Sequence, residues 1–221
     1  MSPVVLLAAF SLVDMAMSAQ ADNENRIDAT QRGRQAMEQV TRGLRSQLCP
    51  SAGGAPIEVA EGNRVKFYSS LVSDQNGSVQ LQKRVLTYEP VAGPTRGRLV
   101  ERVYFNKGTE AAPVWNDTPA NDVPDRTHVI ADHISPVNAT TPVFRYWRYD
   151  PAVAAGSPAS LIAVAAPVAA ADLPVVVQVQ VAFDAWSVGR RSADRVRVPL
   201  DSRVQARATT ADDPTLAGRC S

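Results

Sequence analysis

Histidine is almost absent from this 221-residue chain: the only two, His128 and His133, fall in one run, HVIADH. With Asp132 they could offer two ring nitrogens and a carboxylate to a metal. On a strand, however, a five-residue offset puts the two rings on opposite faces, so the run reads as structural. Lysine is scarce too, with Lys66, Lys83 and Lys107 alone among many arginines, and the formal net charge is only +1. That balance lacks the basic footprint of a nucleic-acid-binding protein. The arginine and alanine richness reads as the product of a GC-rich coding genome. Aromatic residues make up 6% of the chain, too few for a platform that stacks bases or sugars. There is no G-x-S-x-G elbow, no phosphate loop and no dinucleotide fingerprint. The sequence therefore points to no enzyme, no cofactor and no small-molecule substrate.

Only two cysteines are present, Cys49 and Cys220. In an exported chain, two distant cysteines point to one bridge, here tying the C-terminus back toward residue 49. Two free thiols are the alternative. A metal site is disfavoured because neither cysteine has a neighbouring Cys or His. A long apolar run is also missing. Val4–Val13, VVLLAAFSLV, is apolar apart from Ser11, but Asp14 follows, and a spanning helix needs about 20 apolar residues. Ala19-Gln20-Ala21 fits a small-x-small cleavage pattern, yet no Lys or Arg precedes Arg26, so the basic region of a signal peptide is lacking.

What the chain does have is a long helical pattern. In Asp22–Cys49, DNENRIDATQRGRQAMEQVTRGLRSQLC, residues Ile27, Met37, Val40, Leu44 and Leu48 recur at helical spacing and predict one stripe packed on a sheet. Arg32, Gln35, Gln39, Arg42 and Gln47 fall largely on the other side. Asp22 to Arg26, Asp28 to Arg32 and Glu38 to Arg42 are acid-to-base pairs at i,i+4, each contributing ~0.3 kcal/mol. No proline interrupts Val4 to Cys49, and Pro50 ends the run. Some 45 helical residues would extend roughly 65 Å at about 1.5 Å each. That is longer than a domain of this size is wide, so part of the helix must project.

Beyond Pro50 and the loop SAGGAP, the period becomes strand-like. Expected strands are Ile57–Ala60, Arg64–Leu71, Val79–Thr87, Arg98–Phe105, His128–Ile134, Val143–Tyr149, Val175–Ala185 and Val196–Ala208, with Leu161–Val164 a further short candidate. The alternation in VVVQVQVAF predicts one buried face. Pro199 predicts an edge position for the last strand. Asn106–Arg126 and Pro151–Pro174 read as long loops, the second with a helical turn at Ala169–Leu173. Asp122, Asp125, Asp212 and Asp213 read as solvated loop carboxylates whose spacing does not match an EF-hand. FRYWRY (144–149) places one aromatic pair in the core rather than on a ligand platform. A helix followed by consecutive strands makes the fold α+β, a long N-terminal helix packed on an antiparallel sheet. The organisation read from these patterns is an apolar helix at 1–21, its amphipathic continuation at 22–49 and a β-rich head at 50–221.

The run from Ala29 to Cys49, ATQRGRQAMEQVTRGLRSQLC, resembles the helix of prepilin-type proteins. It is most similar to the J-type minor pseudopilins of type II secretion and related type IV pilus systems. TTPVFRY (140–146) and AADLP (170–174) leading into VVVQVQVAF resemble later segments of their heads. The resemblance implies a pilin-like fold and a structural role without catalysis. It further implies membrane attachment through the N-terminal helix, an extracytoplasmic head, and other pilin or pseudopilin subunits as partners. The family's Gly-Phe-Thr-Leu-x-Glu processing motif and basic leader are absent, and VVLLAAFSLVDMAMSAQ matches only the second half of the family's apolar helix. A start site placed too far downstream is the expected cause, and a real truncation is the alternative. The competing reading is a secreted β-domain acting as a binding module, with a signal peptide ending near Ala21.

Overall fold

The computed structural model describes residues 3–50, 55–72, 79–91, 97–109, 112–118, 121–152, 160–188 and 196–205. Helix α1 spans Pro3–Arg45, 43 residues without a break. At about 1.5 Å per residue it is about 65 Å long. Two of the three expected i,i+4 pairs form, Asp28–Arg32 and Glu38–Arg42, both at 2.8 Å. Arg42 and Arg45 lie in the last turn, where cations complement the helix dipole. Ser46 then closes the helix: its N–H donates to the carbonyls of Arg42 and Gly43, and its hydroxyl donates to Gly43.

Among the described residues eleven strands follow: β1 (Ile57–Ala60), β2 (Arg64–Val72), β3 (Val79–Pro90), β4 (Gly97–Phe105), β5 (Asp117–Thr118), β6 (Asn121–Asp122), β7 (Arg126–Ser135), β8 (Phe144–Tyr149), β9 (Leu161–Val164), β10 (Gln178–Trp186) and β11 (Arg197–Gln205). Nine form one sheet in the order β1-β2-β3-β4-β7-β10-β8-β9, with β11 joined to β10. Every pairing is antiparallel. The fold is therefore α+β, one N-terminal helix and a large antiparallel sheet.

Strand β10 organises the sheet. One edge is shared: its first half pairs with β8, Gln178 opposite Trp147 to Val181 opposite Phe144, and its second half meets β7 at Asp184–Ser135. The other edge pairs with β11 along its whole length. β10 buries both of its faces, not the single face that its alternation predicts: α1 packs against one, and on the other Asp201 and Arg197 of β11 lie over Gln180 and Asp184. Gln180 and Asp184 are as inaccessible as Val179 and Phe183. Among the described residues β11 pairs with β10 alone, so Pro199 sits on an edge strand.

The core lies between α1 and one sheet face. Ala36, Met37, Val40 and Leu44 of the helix meet Phe67, Leu86, Leu99, Ile134, Phe144, Tyr146, Val181, Phe183 and Val204. Burying each large apolar side chain is worth about 1.5–3 kcal/mol. Gly33 lets the helix approach: a Cβ there would stand 2.3 Å from Leu200 Cδ1 and 2.9 Å from Ala185 Cβ. Two members of the predicted stripe differ. Ile27 is 57% exposed, because the sheet begins to cover the helix only at Ala29. Leu48 is half-buried and lies beyond the helix end. Its N–H donates to the Tyr68 carbonyl, while the buried Gln47 bridges to Ser69 of β2. The chain leaves the helix there because it extends the ladder of β2.

Candidate functional site

Three places in the fold could carry function: the uncovered part of α1, the groove where the helix meets β7, and a charge cluster on the outer sheet face. From Phe10 to Asp28 every helical residue is exposed except half-buried Asn25. Leu7 and Phe10 are each 71% exposed, and Leu12, Val13, Met15 and Met17 are exposed too. No helix among the described residues is long and apolar enough to cross a membrane. Large apolar side chains in such a row are costly in water unless another surface covers them.

At the point where α1 meets the sheet, a groove of about 460 Å³ runs between helix residues Ala29, Arg32 and Gln39 and sheet residues His128, Asp132 and Trp186. Arg32 spans it. Its guanidinium pairs with Asp28 at 2.8 Å, donates to the Trp186 carbonyl at 3.3 Å and lies 3.6 Å from Asp132. The HVIADH run thus contributes to this groove. A bulge in β7 interrupts its register with β4, and His133 within it has a positive φ of 51°. Only backbone held by its surroundings keeps a non-glycine residue there. No cluster of three or more His, Cys, Asp or Glu residues suited to a metal occurs among the described residues.

The third place escaped sequence reading. Alternation along β2 and β3 turns Lys66, Tyr68 and Lys83 away from the helix-facing core. A bulge between Ile57 and Val59 leaves Glu58 without a partner opposite, and the Glu58 carboxylate reaches both lysines. Residues 112–118, which include β5, lie over this face and bring in Trp115 and Asp117. Lys66 Nζ lies 2.8 Å from Glu58 and 2.6 Å from Asp117, and Lys83 Nζ lies 2.9 Å from each. The ring of Trp115 meets that of Tyr68 edge-on, and Lys83 stands over both.

Burial by itself would raise the Glu58 and Asp117 carboxyls, but hydrogen bonds from the two lysines outweigh it and hold both below the ordinary carboxylate range. Burial first, then the neighbouring Glu58 charge, pushes the Tyr68 phenol up. Further along the loop, Tyr104 donates to Asp122, Lys107 pairs with Asp125 at 3.3 Å, and the Phe105 N–H donates to Asp125 at 2.8 Å. Asp122 and Asp125 are therefore fastenings of this loop, not merely solvated carboxylates; Asp212 and Asp213 lie outside the described residues. All three lysines of the chain sit in this one region. Their rarity was the signal available in the sequence, though it did not say which carboxylates they meet.

In FRYWRY, Phe144 and Tyr146 enter the core, where the Tyr146 hydroxyl donates to the Glu61 carbonyl at 2.8 Å. Trp147 faces the other way between the guanidiniums of Arg145 and Arg203. Cys49 is disulfide-bonded; Cys220 lies outside the described residues. No family model matches the chain, and neither curated proteins nor solved structures gave a match.

Proposed function

We propose that this chain is a minor pilin or pseudopilin subunit of a type II secretion or type IV pilus-like filament, working by assembly and not by catalysis. One observation carries the reading: a single helix is anchored in the core from Ala29 to Leu44, while its other end presents uncovered Leu7, Phe10, Leu12, Val13, Met15 and Met17. Helices of this kind bury such a surface against partner helices or lipid. The partners in this reading are other pilin-like subunits, contacted through the helix and adjoining sheet edges, with membrane attachment through the N-terminal helix and the head outside the cytoplasm. The resemblance of Ala29–Cys49 to prepilin-type helices supports the same role.

Three measurements test it. DNA immediately upstream of Met1 should encode an in-frame Gly-Phe-Thr-Leu-x-Glu. The full chain should fractionate with membranes and co-purify with other prepilin-like proteins. Deleting residues 1–26 should leave a soluble, folded head. Recovery of the full chain solely as a free monomer, with a hydrolytic activity lost in His128→Ala or His133→Ala, overturns the reading. An exported form beginning at Asp22 would instead favour a secreted binding module.

A further inference from the structure

We propose that Lys66 and Asp117 condense into an intramolecular isopeptide bond, with Glu58 as the proton carrier, so that the loop over the outer face is joined covalently to β2. This site is separate from the exposed helix, and the inference does not depend on the assembly role. Lys66 Nζ is 2.6 Å from Asp117 Oδ2 and 2.8 Å from Glu58 Oε1. The Lys66 and Lys83 side chains are each 7% exposed and that of Asp117 8%. Two cations and two anions thus share one small pocket walled by Tyr68 and Trp115. Removing charges from water is costly even when they are paired, and the neutral amine and acid are one proton transfer away. A nucleophile and an electrophile held in contact react as if at an effective concentration of roughly 10⁵ M or more. A reaction needed only once per molecule can proceed through a minor neutral population.

The two lysines are not equivalent. Lys83 Nζ stands 5.3 Å from the Tyr68 ring centre and 5.1 Å from that of Trp115, and aromatic faces favour the ammonium form. Among the described residues Lys66 has no such ring contact, and its Nζ is the nearer of the two to Asp117, 2.6 Å against 2.9 Å, so it is the nucleophile. Glu58 relays a proton from the Lys66 ammonium to the Asp117 carboxylate, giving a free amine and a carboxylic acid. The Nζ lone pair then attacks Asp117 Cγ. As the N–C bond forms, the carbonyl electron pair moves onto oxygen, where the Lys83 ammonium, 2.9 Å from Oδ2, stabilises it. Glu58 takes the proton from nitrogen and passes it to the departing hydroxyl. The C–O bond breaks, and the products are an amide and one water. No oxidant or outside reagent enters. One charge pair disappears from the pocket, and Glu58 remains paired with Lys83.

The geometry also explains how the reactants stay in place. Glu58 is presented by the β1 bulge, and Asp117 is held by its pairing with Asp122 across β5–β6. Asp122 is in turn fastened to Tyr104 on β4. Intact-mass spectrometry of the full, folded chain after denaturation tests the proposal. The expected mass is one water below the sequence mass, beyond the hydrogens lost to the disulfide, and digestion yields a branched peptide joining Lys66 to Asp117. Lys66→Arg and Asp117→Ala should each restore the water, and Glu58→Gln should leave most molecules unjoined. Lys83→Arg keeps the cation and should keep the bond. A full sequence mass in the folded wild-type chain overturns the proposal, as does a branch mapped to any other pair, Lys83–Asp117 included. If a variant fails to fold, the wild-type mass and its branched peptide decide alone.

Discussion

Gly33→Ala sets two effects against each other, and the structure says which wins. In a helix interior, alanine is favoured over glycine by about 1 kcal/mol. Here the added Cβ would stand 2.3 Å from Leu200 Cδ1 and 2.9 Å from Ala185 Cβ. Leu200 is half-buried and its side-chain end can rotate away at some loss of packing. Ala185 Cβ is fixed to the backbone of β10, so the helix itself must lift. Overpacking of this kind costs about 1–3 kcal/mol. The net expectation is a loss of about 1 kcal/mol, or roughly 2–4 °C in melting temperature for a chain of this size. Gly33→Val, with two further methyl groups in the same gap, should lose ~3 kcal/mol or more. Thermal unfolding followed by circular dichroism, repeated in a Leu200→Ala background, isolates the contact. Without Leu200 the penalty of Gly33→Ala should shrink by about 1 kcal/mol, the scale of coupling between touching residues. If Gly33→Ala instead stabilises the protein equally in both backgrounds, the helix does not approach β10 and β11 as described. The same contact fixes the direction in which the uncovered half of α1 leaves the sheet, so the measurement also bears on the proposed assembly.

Three other substitutions probe separate parts of the molecule. Leu44→Asp puts a charge where the side chain is fully buried and should cost ~3 kcal/mol or more; a melting temperature unchanged within error would remove Leu44 from the core. At Glu89, burial would raise the carboxyl, but hydrogen bonds from Arg98 and Arg102 outweigh it and hold it below its ordinary 4.5. Its stabilising effect is therefore complete above that value and is lost as pH falls through the lowered folded value. Glu89→Gln should cost about 0.5–1 kcal/mol near neutral pH, discounted for solvent screening. The difference from wild type in urea melts should begin to close as pH falls below 4.5 and vanish once the lowered folded value is passed, and a gap that widens in acid would refute the pairing. Cys220→Ser should lower stability by up to about 4–5 kcal/mol if a Cys49–Cys220 bridge closes the long loop. Two alkylatable thiols in the folded, unreduced wild-type protein would rule the bridge out.

Much of the secondary structure was legible because it depends on local chemistry. The helix could be read from its period, the lack of proline up to Pro50, and its i,i+4 pairs, and it needed correction only at the end. There a leucine in phase with the stripe, Leu48, belongs to an extended segment, because hydrogen bonds to β2 compete with another helical turn. Strand positions followed from alternation and from Gly and Pro punctuation. The brief hairpin β5–β6 left no such trace: two-residue strands carry no period. Periodicity also describes one element at a time. It marked Ile27 as part of the stripe, but whether a sheet lies opposite Ile27 depends on where that sheet ends.

The charge cluster shows the same division more sharply. Glu58, Lys66, Lys83 and Asp117 lie up to 59 positions apart in sequence, and no spacing rule links them. They meet because β1, β2 and β3 are neighbours, because a bulge presents Glu58, and because residues 112–118 lie across the outer face. Likewise Gln180 and Asp184 sit at polar phases of an alternating strand yet are buried, since Asp201 and Arg197 of the neighbouring β11 pair with them. Sequence by itself determined the long helix, most of the strands and the α+β class, all set by interactions within a few residues. Only tertiary structure decided how far the sheet covers the helix, which strand became central and which charges share a pocket, because those depend on contacts between residues that the chain keeps far apart.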